Sequence, residues 1–153
     1  MGSNMVQWSR RGGLVAGAVA LAILGAGPAS AASPHYTLHT SDANPGGAVE
    51  FFTDGDMVRL TDVQADGKDV QVDVWDVTPE PDVYKFGFYN RNGDRGQPVV
   101  SDAGMGAPYD LAEGHCIKFR VRLVNDGSST VVSGSTNWGR FRNTNTADGY
   151  GTC

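Results

Sequence analysis

Apolar and polar residues alternate with a period of two along most of this chain. The alternation is clear in the segments MVRL, VQVDV, YKFGF and IKFRVRL, whereas no stretch of ten or more residues keeps the spacing of an amphipathic helix. Dipeptides such as Asp66-Gly67 and Asn92-Gly93 separate these runs and are typical of tight turns. The pattern predicts eight short strands, over residues 36–40, 48–53, 57–64, 68–77, 83–90, 99–101, 116–124 and 130–137.

Six to eight short strands at this spacing predict an all-β fold. One sheet needs a second sheet to cover its apolar face, so we expect an antiparallel β-sandwich. The 153 residues suffice for a single domain with a core of its own. We therefore predict a signal peptide over residues 1–31, followed by one sandwich domain over residues 32–153.

The first 31 residues have the three parts of a signal peptide. The basic pair Arg10 and Arg11 precedes an apolar run over residues 14–24, and an A-x-A sequence ends at Ala31. The run is shorter than the roughly 20 residues that span a bilayer, so we predict no membrane span after cleavage. The segment SRRGGL partly matches a twin-arginine signal, and both export routes stay open. The predicted location is extracellular.

Charge and cysteine content narrow the class of protein. With 12 basic and 17 acidic residues the formal net charge is −5, which argues against nucleic acid as a partner. Cys116 and Cys153 make an even count in a chain predicted to be exported, so we expect one disulfide. That bridge would tether the C-terminal segment NTNTADGYGTC, which has no hydrophobic pattern of its own.

The stretch LTDVQADGKDVQVD resembles a calcium loop. Asp62, Gln64, Asp66, Gly67 and Asp73 occupy positions 1, 3, 5, 6 and 12 of an EF-hand-like spacing. A true EF-hand also needs a helix after the loop, and the sequence VWDVTP stops one at its proline. A looser calcium site, formed by Asp62, Asp66 and Asp69, stays open as an alternative to a plain turn.

We favour a β-hairpin for the same stretch. A three-residue turn ending at Gly67 would pair Leu60 with Val72 and collect the apolar side chains on one face. On the other face the same register sets Arg59 opposite Asp73, as an exposed ion pair between strands.

Other chemistry-bearing motifs are few. His35 and His39 lie four residues apart, which suits zinc on a helix but separates them by about 13 Å on a strand. There is no nucleophile elbow, and no pair of carboxylates is singled out for hydrolysis. The sequence therefore predicts no cofactor and gives an enzyme no support, without excluding one.

A basic strip is predicted on one strand of this acidic protein. Lys118, Arg120 and Arg122 would project from one side, with apolar residues on the other. Continuing the strand through the NDGSS turn would align Arg122 with Ser133 and Arg120 with Ser135. The strip is either a binding surface or a solvated face that guards the sheet against aggregation.

A second candidate surface surrounds Trp75, which alternates with the valines predicted to face the core and should therefore point outward. Pairing across the TPEPD loop would set Trp75 opposite Lys85. The same register would set Asp73 opposite Gly87 and Gln71 opposite Tyr89, so that Gly87 lies between the two aromatic rings. Flat aromatic rings on an open sheet suit a sugar or a peptide. Alternatively, a loop covers Trp75, since large aromatic side chains are usually mostly buried.

The segments GDMVRLTDVQADGKDVQVDVWD and DLAEGHCIKFRVRL resemble small secreted all-β proteins of streptomycetes and related actinobacteria. The resemblance implies an exported sandwich and carries over no catalytic residue, because that group is largely uncharacterised. Its members often have more cysteines than this chain.

The predicted function is that of a secreted, non-enzymatic binding protein with a protein or glycan partner. The alternatives are an enzyme inhibitor or toxin component, and a small secreted hydrolase.

Overall fold

The computed structural model describes residues 34–93, 96–146 and 153. Within them, eight strands and two short 3-10 turns, Asp54–Asp56 and Ala103–Met105, are formed. In chain order the strands are β1 His35–His39, β2 Gly47–Phe52, β3 Met57–Asp62, β4 Lys68–Asp76, β5 Val83–Asn90, β6 Val99–Ser101, β7 Cys116–Asn125 and β8 Asn137–Arg142. All strand pairs are antiparallel, with the order β1-β2-β3-β6 in sheet A and β5-β4-β7-β8 in sheet B. The predicted antiparallel β-sandwich is confirmed.

The core lies between the two sheets and is filled by every second residue of the central strands. Because successive side chains of a strand point to opposite faces, the period-two pattern puts one apolar set into the core. Phe51 of sheet A and Phe119 of sheet B meet there, with ring centroids 5.1 Å apart. Their fully buried neighbours are Val58, Leu60, Val70, Val72, Val74, Ile117 and Val121.

The hairpin predicted between β3 and β4 is wrong. β3 pairs with β2 and β6 in sheet A, whereas β4 pairs with β5 and β7 in sheet B. The connection over residues 63–67 therefore crosses from one sheet to the other. Gly67 does adopt the predicted left-handed conformation, with φ of 69°, and the Asp66 carboxylate accepts a hydrogen bond from the Lys68 backbone N–H at 3.0 Å.

The ion pair predicted between Arg59 and Asp73 is therefore also wrong. Arg59 lies opposite Glu50 of β2 and donates two hydrogen bonds to it, from Nε at 2.6 Å and from Nη2 at 2.7 Å. This guanidinium holds the pKa of Glu50 below its usual value. The His35 ring lies 3.2 Å from the same carboxylate.

The last predicted strand, over residues 130–137, is displaced along the chain. Only an isolated bridge between Val124 and Val131 continues from the NDGSS turn, and β8 begins at Asn137. Between them a second turn forms at Gly134, which has φ of 78°. Ser135 is buried beside it, where its hydroxyl accepts a hydrogen bond from the Leu123 backbone N–H at 3.0 Å.

The predicted disulfide between Cys116 and Cys153 is present, with the two Cα atoms 6.0 Å apart. It joins the first residue of β7 to a residue 37 positions further along the chain. The signal peptide predicted over residues 1–31 lies outside the described residues. None of the helices in the described residues is long and apolar enough to cross a membrane.

A close approach between the sheets at Gly47 gives a test of the packing. A Cβ atom added there would lie 2.7 Å from Cγ2 of Val70 and closer still to its Cγ1. Gly47→Ala should therefore lower the free energy of unfolding by about 1–3 kcal/mol through overpacking, measured by urea denaturation. Adding Val70→Ala makes room, so the double variant should be less destabilised than the two single losses added together. Additive losses would show that this contact is not tight.

Candidate binding face

The outer face of sheet B collects the side chains of two surfaces that the sequence predicts separately. Val72 and Val74 point into the core, so Asp73 and Trp75 of β4 point away from it. In the register of β4 and β7, Trp75 lies opposite Lys118 and Asp73 lies opposite Arg120. The predicted basic strip and the predicted surface around Trp75 are thus parts of one face.

The partners of Trp75 on β5 differ from those predicted. A bulge between Val74 and Trp75 shifts the register by one residue, so that Trp75 lies opposite Tyr84 rather than Lys85. The rings of Trp75 and Tyr84 meet edge to face with centroids 5.5 Å apart. The predicted pairing of Trp75 with Lys85 is therefore wrong, and Lys118 supplies the cation beside the indole.

Tyr89 takes a different place from the predicted one. It lies opposite Gln71, as predicted, but the Arg91 guanidinium covers its ring at 4.6 Å from the centroid. Gly87 lies opposite Asp73, also as predicted. The aromatic rings described next to Trp75 are those of Tyr84 and Trp138, so Tyr89 is an outlying member of this face.

Trp138 is the residue that the sequence reasoning missed. A continuous hairpin from β7 would have pointed the Trp138 side chain into the core. The turn at Gly134 instead changes which residues of β8 point outward, and it brings Trp138 opposite Arg120. Its indole packs at 5.6 Å from that of Trp75 and is 49% exposed. The segment NWGRFR carries a pattern that could have placed Trp138 on the outer face. Trp138, Arg140 and Arg142 alternate with Phe141, which is partly buried against the core.

We call the cluster of six outward side chains on sheet B the aromatic–basic face. Its members are Trp75, Tyr84, Lys118, Arg120, Trp138 and Arg140.

Two cations from β7, those of Lys118 and Arg120, each lie beside both indoles of this face. The Arg120 guanidinium carbon is 5.3 Å from the ring centroids of both Trp75 and Trp138. The Lys118 ammonium is 5.3 Å and 5.9 Å from the same two centroids. Both distances fit cation–π attraction, which fixes the aromatic side chains without burying them. The face is therefore preorganised.

Asp73 lies beneath the exposed side chains of the face and holds Arg120 and Tyr84 in place. Its carboxylate is 5% exposed, and Oδ2 accepts hydrogen bonds from Arg120 Nε at 3.1 Å and Nη2 at 2.8 Å. Oδ1 lies 3.5 Å from the Tyr84 hydroxyl. Burial, and then this carboxylate, raise the pKa of Tyr84. Gly87 leaves the space for this contact, since a Cβ there would lie 2.7 Å from both oxygens.

The rim of the face carries an uncompensated positive charge. Lys118 contacts the Asp82 carboxylate, and Arg120 is paired with Asp73. Arg140 is exposed, and no acidic side chain lies within ion-pair distance of it in the described part of the chain. An open depression of about 400 Å³ runs between Lys118, Trp138, Gly139 and Arg140. It offers an anion the flat ring of Trp138 and the guanidinium of Arg140, which is without an ion-pair partner in the ranges that the structure describes.

The three carboxylates of the alternative calcium site already have partners within the protein. Asp66 contacts the Lys68 ammonium at 2.9 Å, and Asp69 accepts a hydrogen bond from the Gly127 N–H at 3.1 Å. Asp62 accepts one from the Gln64 N–H at 3.1 Å. Over the described ranges, no group of three or more His, Cys, Asp or Glu side chains is placed to hold a metal ion.

His35 and His39 have the strand arrangement that the sequence analysis set against a zinc site on a helix. His35 and His39 lie at opposite ends of β1, and His35 stacks on Phe52 at 4.1 Å between centroids. His115 contacts the Asp76 carboxylate at 2.7 Å, which is the orientation of a catalytic acid–base dyad. The hydroxyl group placed next to this dyad, that of Thr78, accepts a hydrogen bond from the Cys116 N–H at 2.7 Å.

No known protein family, no curated protein and no solved structure matches this chain at a significant level. The geometry of the aromatic–basic face is therefore the basis for a functional proposal.

Proposed function

We propose that this protein is a secreted, non-enzymatic β-sandwich that binds a protein or a glycan through its aromatic–basic face. One observation carries the proposal. Two half-exposed aromatic rings, Trp138 at 49% and Tyr84 at 54%, lie on the same open sheet face as Arg140, which has no acidic partner among the described residues. Clusters of aromatic and arginine side chains are enriched at binding surfaces, where they supply most of the affinity.

Export rests on independent features of the chain. The N-terminal basic, apolar and A-x-A segments have the pattern of a signal peptide, and a disulfide forms in oxidising compartments. The resemblance of two segments to small secreted proteins of actinobacteria points the same way. We therefore propose that the protein acts at the cell surface or in an exported complex.

A small hydrolase is the rival from another class, because His115 and Asp76 are oriented like an acid–base dyad. The depression of the aromatic–basic face is lined by Lys118, Trp138, Gly139 and Arg140, none of which is a general base or nucleophile with a base beside it. The residues that line this depression therefore support binding rather than catalysis.

Capture of partners by the immobilised mature protein tests the proposal. The protein would be exposed separately to the secreted proteins and to the surface glycans of the producing organism, and the bound material weighed and identified by mass spectrometry. Trp138→Ala should weaken retention by about thirtyfold, because an exposed hot-spot aromatic typically carries 2 kcal/mol or more of binding energy. Its melting temperature should stay close to that of the wild type, since the indole is half exposed.

Met105→Ala is the matched control. Met105 is an exposed large side chain in the 3-10 turn Ala103–Met105, outside sheet B. The Met105→Ala variant should retain partners as strongly as the wild type does. Equal retention by all three proteins would contradict a role for the aromatic–basic face.

A further inference from the structure

We propose that the ligand of the aromatic–basic face is an anionic glycan whose sugar rings carry carboxylate groups. Trp138 stacks on a sugar ring, and Arg140 pairs with its carboxylate. The inference rests on the proposed function, and it replaces an open choice between protein and glycan by one chemical class.

The spacing of Trp138 and Arg140 matches the size of one acidic sugar. The two residues are two positions apart on β8, so their side chains leave the same face about 6.6 Å apart. A pyranose ring lying flat on the exposed indole would extend its ring substituents towards the guanidinium. The depression of about 400 Å³ between these side chains is open to solvent and large enough for such a ring.

The charge of the face selects an anion in a protein that otherwise repels anions. The chain has a formal net charge of −5, yet the depression is lined by Arg140 and by Lys118, whose ammonium contacts Asp82. Arg120 is held by Asp73 and by two rings, so it supports the platform rather than the ligand. Arg140 has no carboxylate partner within the described part of the chain, and the planar set of donors on its guanidinium fits the two oxygens of a ligand carboxylate.

A glycan fits this face better than an acidic peptide does. β8 is the edge strand of sheet B and is paired in the ladder on one side only, by β7. The side chains of the aromatic–basic face project perpendicular to that ladder, so a ligand lying on the face meets side chains rather than backbone N–H and C=O groups. Peptides that bind sheets usually add a strand at an edge and are held by backbone hydrogen bonds. The groups offered here are flat rings and a planar cation, which recognise a flat ring bearing a carboxylate.

The strand order also gives the face a long axis. Tyr84, Trp75 and Trp138 lie on β5, β4 and β8, and their rings follow one another at centroid distances of 5.5 Å and 5.6 Å. The line crosses the strands and ends in an exposed ring on each side. Such an array suits a chain of several sugars, which could engage Tyr84 and Trp138 together.

The test uses the mature protein and polygalacturonate, with highly methyl-esterified polygalacturonate as the matched neutral polymer and poly-L-glutamate as the acidic peptide. Binding would be measured by titration calorimetry at fixed ionic strength. We expect the wild type to bind polygalacturonate at least tenfold more tightly than either of the other two polymers. Trp138→Ala and Arg140→Gln should each weaken binding at least tenfold.

Two variants separate a specific site from general attraction. Trp138→Phe keeps a flat ring and should retain most of the affinity that Trp138→Ala loses. Lys68→Gln removes one positive charge beside Asp66, away from the aromatic–basic face, and should change the affinity less than twofold.

Each remaining outcome overturns the inference in a recognisable way. Equal affinity for poly-L-glutamate would identify an acidic peptide or any polyanion as the ligand. Equal affinity for the methyl ester would show that the carboxylate plays no part. No binding of polygalacturonate, with capture that still depends on Trp138, would reject the glycan and leave the proposed function standing. If capture also fails to depend on Trp138, both are wrong.

Discussion

Removal of the disulfide between Cys116 and Cys153 should lower the free energy of unfolding by roughly 3.8 kcal/mol. The bridge closes a loop with a sequence separation of 37 residues, and in the chain-entropy model that loop restricts the unfolded state by this amount. The loss would be a large share of the stability of a small domain. The double variant Cys116→Ser/Cys153→Ser would be compared with the wild type by urea denaturation.

Reduced wild-type protein is the control for this experiment. Cys116 is buried, so its replacement by serine also changes local packing. Wild type reduced with dithiothreitol retains both sulfur atoms and should show the same loss as the double variant if the cross-link itself is responsible. A loss below 1 kcal/mol in the reduced protein would contradict the loop-closure account.

The alternation of apolar residues was sufficient to predict seven of the eight described strands but not all of their partners, and the eighth is displaced to Asn137–Arg142. Val58 and Leu60 of β3 and Val70 and Val72 of β4 face the same core, as the hairpin required. They do so from two different sheets, because the connection over residues 63–67 crosses the sandwich. Hydrophobic periodicity is satisfied equally by a hairpin and by such a crossing, so it could not decide between them.

Turn chemistry was equally unable to decide this point. Asp66 and Gly67 form the left-handed turn that the sequence predicts, with the Asp66 carboxylate hydrogen-bonded to the Lys68 N–H. A turn of this kind fixes the local direction of the chain, and a change of sheet needs only a few more residues to span the roughly 10 Å between layers. The partner of Arg59 was predicted wrongly for the same reason.

Part of the aromatic–basic face was predicted correctly, because the alternation along β4 and β7 determines which of their side chains point away from the core. Trp75, Lys118 and Arg120 point outward as the alternation implies. Trp138 could not be placed, because its parity depends on how many residues the turn at Gly134 inserts between β7 and β8. Tyr84, rather than Lys85, lies opposite Trp75 because of a one-residue bulge, and a bulge cannot be read from a periodic sequence pattern.

Asp73→Ala should lower the free energy of unfolding by about 3 kcal/mol, measured by urea denaturation. The carboxylate is 5% exposed and contacts Arg120 at 2.8 Å and Arg122 at 3.7 Å. Without it, the two guanidinium groups would face each other with no counter-ion in a partly buried site. Loss of one partner of a buried pair typically costs 3–5 kcal/mol. The lower end applies, because the side chains of Arg120 and Arg122 are 24% and 18% exposed.

A double-mutant cycle separates this account from that of an exposed ion pair. The predicted hairpin would have left Asp73 exposed beside Arg59, where its removal should cost no more than about 1 kcal/mol. In the buried network, Arg120→Met removes the charge that Asp73→Ala leaves without a counter-ion, and the methionine side chain still packs beside the indoles of Trp75 and Trp138. The variant Asp73→Ala/Arg120→Met should therefore be more stable than the two single losses added together predict, by at least 1 kcal/mol. Purely additive losses would mean that Asp73 and Arg120 are not coupled, and that the centre of the face is held by ring packing alone.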